Sequence, residues 1–153
     1  MDQAINEMEA MVTELNSILK NEPDHLHYNA AEDAMMEYAE TRIIYSITTD
    51  TPIPSYVQLG IHPGAWVLGL ADSIGEMRRT LLNHLINSDI ESAQRVFEKM
   101  EEISDVVMMF DIPDSIIPIR RKQDIARSIM ERTRADITNA AVINRIVINE
   151  VPR

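Results

Sequence analysis

Two pairs of carboxylates carry the chemistry this sequence can offer. Asp72 and Glu76 stand four residues apart in the run Leu68-Gly-Leu-Ala-Asp-Ser-Ile-Gly-Glu-Met-Arg-Arg79. Glu37 and Glu40 stand three apart in Met36-Glu-Tyr-Ala-Glu40. On a helix, both spacings place side chains next to each other on one face, so each pair aims two carboxylates at one point. Should the two helices pack face to face, four carboxylates converge. Oxygen-only sets of that kind suit hard divalent cations, Mg²⁺ or Mn²⁺. Such an ion activates water and stabilises a phosphoryl transition state. A di-iron bundle site needs Glu-x-x-His motifs, and none is present. His25, His27, His62 and His84 lie outside that spacing and read as surface or capping residues. The absence of Cys excludes disulfides and thiolate metal sites.

The elements that must position these pairs read as helices. Residues 1–20 carry Ile5, Met8, Val12, Leu15 and Leu19 at three-to-four spacing, an amphipathic helix. Pro23 or Asp24 opens the next one, which runs to Thr48. On it Met36, Glu37, Glu40, Ile43, Ile44 and Ile47 fall on an arc about 120° wide, with Asp33 beside them. Met35, Tyr38, Arg42 and Tyr45 take the opposite side. Glu37 and Glu40 therefore sit among isoleucines, where an unpaired charge is costly. Residues 49–60 form a loop stiffened by Pro52 and Pro54, with one short helical turn between Pro54 and Leu59. A third long helix spans Pro63 to Asn87. Its core stripe is Leu70, Ile74, Met77, Leu81 and Leu85, while Gly69, Asp72, Gly75, Glu76 and Arg79 gather on the other side. Glycine inside a helix costs about 1 kcal/mol relative to alanine, so two on one face predict close approach by a backbone or ligand. A further helix follows over about 89–110. The last begins at Ser115 or Ile119 and reaches Ile148. Trp66 and the ten methionines read as packing residues.

This is an all-α pattern, an antiparallel multi-helix bundle of about five to six helices. The 153 residues form one domain with a sizeable core. No apolar run reaches the ~18 residues of a membrane span and no signal-peptide pattern opens the chain, so the expected location is cytoplasmic, with no membrane partner. The net charge of −11 argues against an anionic partner, but the charge is polarised. From Arg120 onward there are eight basic and four acidic residues, a balance of +4, which leaves −15 on residues 1–119.

The run from Pro54 to Arg79 closely resembles the translin superfamily, above all its archaeal members and the translin-associated factor X branch. The likeness continues through Met36–Glu40, through Arg120-Arg-Lys-Gln-Asp-Ile-Ala-Arg127 and through Glu131-Arg-Thr-Arg134. It covers most of residues 20–140. The resemblance implies an all-α fold, about seven helices in full-length members, and assembly into hollow octamers. It also implies a metal-dependent endoribonuclease acting on single-stranded or nicked RNA. The Glu-x-x-Glu motif of the catalytic branch falls on Glu37 and Glu40, and its Asp-x-x-x-Glu motif on Asp72 and Glu76. These four carboxylates are then both the catalytic residues and the ligands of Mg²⁺ or Mn²⁺. Translin itself has non-acidic residues at the positions of Glu37 and Glu40 and mainly binds nucleic acid.

Two departures accompany the likeness. The chain starts near the family's second helix, so its long first helix is expected to be absent. The basic stretch that translin carries before the first acidic motif is thin, with only His25 and His27 near it. RNA contact is then expected from Arg78, Arg79, Arg120, Arg121, Lys122 and Arg127, with Arg79 as a phosphate ligand. The alternative reading is a non-catalytic translin-like subunit that binds single-stranded RNA or DNA. A third reading is a partner subunit that works only beside another translin-like chain.

Overall fold

In the computed structural model, residues 2–21 and 29–150 are described. Six helices lie among them, and no strand. They are α1 (Asp2–Asn21), α2 (Asn29–Thr48), α3 (Tyr56–Leu59), α4 (Pro63–Ile86), α5 (Ile90–Met109) and α6 (Ile119–Glu150). The expected start of α2 at Pro23 or Asp24 lies outside the described residues, as do His25 and His27. No helix among the described residues is long and apolar enough to cross a membrane.

Local chemistry explains most boundaries. Ser55 accepts from the Gln58 amide and Gln58 answers to the Ser55 amide, a capping box that starts α3. Gly60, at φ 64°, ends that turn in the left-handed region open to glycine. His62 caps α4, its Nδ1 accepting from the Gly64 amide at 3.2 Å, with Pro63 in the first turn. Asp89 caps α5 through the Ser92 amide at 3.0 Å. Pro118 disfavours helical geometry at Ile117, so α6 begins at Ile119 rather than Ser115.

Chain neighbours α1/α2, α4/α5 and α5/α6 run antiparallel. The crossover at residues 49–62 changes the relation between α2 and α4. It returns the chain to the end it started from, held by Trp66 Nε1 on the Pro54 carbonyl (2.8 Å) and Asn16 Nδ2 on the Gly60 carbonyl (2.7 Å). Consequently α4 runs parallel to α2: Gly69 meets Met36 and Glu40, and Met77 and Thr80 meet Ile44 and Thr48. Helix α6 also runs parallel to α4, with Lys122 at Asp72 and Thr133 and Asp136 at Arg78. Three parallel helices, α2, α4 and α6, thus meet beside the acidic pairs.

The main core lies between α2, α4, α5 and α6, where Leu70, Ile74, Met77 and Leu81 are buried as their spacing predicts and Ile43 of α2 is buried against them. A second cluster lies under α1 and the crossover. It buries Met35 and Tyr38, which the helical wheel sets opposite the isoleucine arc. Helix α2 is therefore covered on two sides. Arg42 completes its α1 side, with Nη1 donating to Tyr38 Oη at 3.0 Å and lying 3.5 Å from Glu9 Oε2.

Candidate acidic site

The site begins with a glycine. A Cβ on Gly69 would lie 2.7 Å from the Met36 carbonyl oxygen, 2.8 Å from Ala39 Cβ and 3.1 Å from the Glu40 amide nitrogen. Only a residue without a side chain lets α4 approach α2 this closely. That contact sets the level of Glu40 against Asp72, one turn above Gly69. At Gly75 no backbone approaches: nothing among the described residues lies within 4 Å of a Cβ built there.

Glu40 is half-buried, and its carboxyl is pushed up to about 7. Burial is the main cause, followed by the charges of Glu37, Asp72 and Glu76. The other three predicted carboxylates thus all lie within electrostatic reach of Glu40. Glu37 and Glu76 are exposed, and Asp72 is half-buried. The side chains as they stand do not close on a common point: among the described residues, no three His, Asp or Glu side chains are grouped to hold a metal ion.

A cation already rests on this face. The Lys122 ammonium, from α6, donates to Asp72 Oδ2 and lies 4.0 Å from Met36 Sδ. Both side chains of this pair keep 28% of their exposure. The same ammonium holds Glu40 down, against the three carboxylates that raise it. This pairing escapes a helical wheel, because it joins residues on separate helices.

The other expected RNA-contacting residues divide into two groups. Arg78 is spent inside the fold, its guanidinium donating to Thr133 Oγ1 at 2.6 Å and Asp136 Oδ2 at 2.7 Å. It ties α4 to α6 and does not present itself to a ligand. Arg79, Arg120, Arg121 and Arg127 are exposed. Arg79 lies 3.7 Å from Glu76 Oε2, Arg120 4.0 Å from Asp114 and Arg127 2.7 Å from Asp124. Arg121 has no ion-pair partner among the described residues.

Gln123 is a structural residue that the sequence did not single out. It is buried and donates to the carbonyls of Val107 and Phe110, both at 2.9 Å, at the end of α5. Helix ends leave carbonyls short of partners, and Gln123 supplies a donor to these two from the neighbouring helix.

No family model matches the chain. The structure is similar to that of AfC3PO in complex with duplex RNA, with a TM-score of 0.83 at 30% identity, covering 93% of this chain and 74% of that one. AfC3PO is an archaeal C3PO of the translin superfamily. This chain belongs to the translin superfamily. A crystal structure of AfC3PO aligns with a TM-score of 0.80 over the same shares of the two chains. The uncharacterized protein MJ0175 of Methanocaldococcus jannaschii is 37% identical over 134 residues, 87% of this chain. The translin-like chain described here spans 59% of that relative's length.

Proposed function

We propose that this translin-family chain is a divalent-metal-dependent endoribonuclease of the cytoplasm, acting on single-stranded or nicked RNA. Glu37, Glu40, Asp72 and Glu76 would hold Mg²⁺ or Mn²⁺. The observation that carries the reading is the placement of Glu40, half-buried where α2 and α4 meet and facing the charges of Glu37, Asp72 and Glu76, which together with burial push its carboxyl up to about 7. Stability alone does not call for four acids there. The donor set fits the ion: it is all oxygen and in excess negative charge, and one cation is already seated on it. When bound, the ion would supply a Lewis acid that activates water and offsets charge on the scissile phosphate.

The chain's own residues do the remaining work. Gly69 fixes the level at which the two acidic pairs face each other. The exposed Glu37, which borders α1, and Glu76, beside Arg79, would turn toward Glu40 and Asp72 to complete the set. Arg79, one turn beyond Glu76, reaches a phosphate oxygen, and Arg120, Arg121 and Arg127 extend the contact along α6. AfC3PO has been solved with duplex RNA, which supports RNA as the substrate class and makes a duplex a necessary probe. By family resemblance the active form is a homo-oligomer, an octamer.

A second reading has its own observation. Lys122 already neutralises part of the acidic face, as in a protein that binds RNA or DNA without cleaving it or that assembles with a translin-like partner subunit. Cleavage of labelled RNA separates the readings. Single-stranded, nicked and duplex RNA are incubated with Mg²⁺, Mn²⁺ or EDTA, with the wild type, Glu37→Gln and Asp72→Asn. Metal-dependent cleavage lost in both variants supports the nuclease; cleavage that survives both substitutions overturns it. Metal-independent RNA binding without cleavage, unchanged by Glu37→Gln, supports the second reading.

A further inference from the structure

The acidic face carries a cation of its own, brought to it by the tertiary fold. Lys122 and Asp72 are 50 residues apart in sequence, yet the ammonium lies on the carboxylate. Met36 of α2 borders the same ammonium, so it sits where all three parallel helices meet. Half-buried carboxylates without a cation are costly, and Lys122 offsets part of that cost. It does so by taking an oxygen that an incoming metal needs. A half-buried lysine tied to a carboxylate is also not free to contact RNA.

We propose that Lys122 is the resident counter-cation of the acidic site, and that a divalent ion entering the site displaces its ammonium from Asp72. The inference rests on the reading of Glu37, Glu40, Asp72 and Glu76 as metal ligands. Two positive groups compete for one carboxylate oxygen, so Lys122 holds metal affinity below what four carboxylates alone would give. The displaced ammonium stays on its flexible four-carbon stem, at the edge of the site and beside Arg121 on α6. Metal arrival therefore converts an internal ion pair into a free cation where an RNA phosphate would lie. Metal and RNA binding then favour each other by linkage.

Two measurements on the full chain test this, with Mn²⁺ as the probe. Calorimetric titration compares the wild type with Lys122→Met and Asp72→Asn. Lys122→Met is expected to tighten Mn²⁺ binding about tenfold, the order of one charge-assisted hydrogen bond. Acetylation of the wild type, read by peptide mass spectrometry, reports the ammonium directly. Lys122 should react slowly without metal and several-fold faster with saturating Mn²⁺, while the exposed Lys99 stays constant. This second measurement decides the matter should Lys122→Met not fold. Mn²⁺ binding that is lost in Asp72→Asn but unaltered in folded Lys122→Met overturns the displacement alone. So does Mn²⁺ binding that leaves Lys122 acetylation unchanged. Absence of Mn²⁺ binding in both the wild type and Lys122→Met overturns the metal-site reading and the displacement together.

Discussion

A methyl group on Gly69 would stand 2.8 Å from Cβ of Ala39, and backbone atoms of Met36 and Glu40 close the remaining space. Backbone moves far less readily than the end of a flexible side chain, so α2 and α4 would have to separate. Gly69→Ala is expected to lower stability by about 1–3 kcal/mol, even after the gain in helix propensity. Gly75→Ala meets nothing within 4 Å and is expected to be neutral or to stabilise by up to about 1 kcal/mol. Urea titrations of the two variants check the contrast, and equal effects would show that Gly69 does not set the helix separation.

Arg78 is expected to act on stability and not on RNA affinity. Its bonds to Thr133 and Asp136 join α4 to α6 at a partly buried position. Arg78→Met should cost about 1–2 kcal/mol, because Asp136 borders water and is screened there. RNA affinity of the folded variant should match the wild type, whereas Arg121→Ala should weaken it and reduce its salt dependence. Filter binding at several salt concentrations measures both.

Glu40 gives metal-free stability a pH dependence of definite sign. Its folded value, about 7, lies above its ordinary 4.5. The folded state therefore holds the proton more tightly than the unfolded chain. That contribution is fully present below about 4.5 and is lost as pH rises through about 7. Between pH 5 and 8 in EDTA the melting temperature should fall. The decline should correspond to on the order of 1 kcal/mol, since the carboxyl lies partly in solvent. Glu40→Gln, neutral throughout, should flatten it. A wild-type curve that rises over this range would contradict the assigned burial.

Much of this was legible in the sequence, and what was hidden has one physical cause. Periodicity located α4 and its core stripe, because Leu70, Ile74, Met77 and Leu81 repeat with the helix itself. It also set each acidic pair on one face. What it missed is how helices meet. Met35 and Tyr38 lay on the side that the wheel gave no core, yet α1 covers them. Gly75 matched Gly69 in type and face, but only Gly69 meets a neighbour. Arg78 and Arg79 are adjacent and alike, and one is tied to α6 while the other is exposed. Parallel packing of α2 against α4 follows from a crossover whose course depends on tertiary contacts such as Trp66 to Pro54, and that of α6 against α4 from the two antiparallel turns through α5. The pairing of Lys122 with Asp72 depends on that packing in turn.

Metal binding should appear in folding stability before any activity is measured. An ion that binds the four carboxylates only when α2 and α4 are assembled stabilises the folded state by mass action. At a free concentration of 100 times the dissociation constant the gain is about 2.7 kcal/mol. Adding Mn²⁺ at pH 7.5 should therefore raise the wild-type melting temperature by several degrees, and EDTA should reverse it. Asp72→Asn should abolish the shift, because it removes a ligand charge. Lys99→Ala, on an exposed lysine of α5, should leave the shift intact. A shift of equal size in Asp72→Asn would place the stabilising ion elsewhere on this acidic protein and remove the metal from the α2–α4 face.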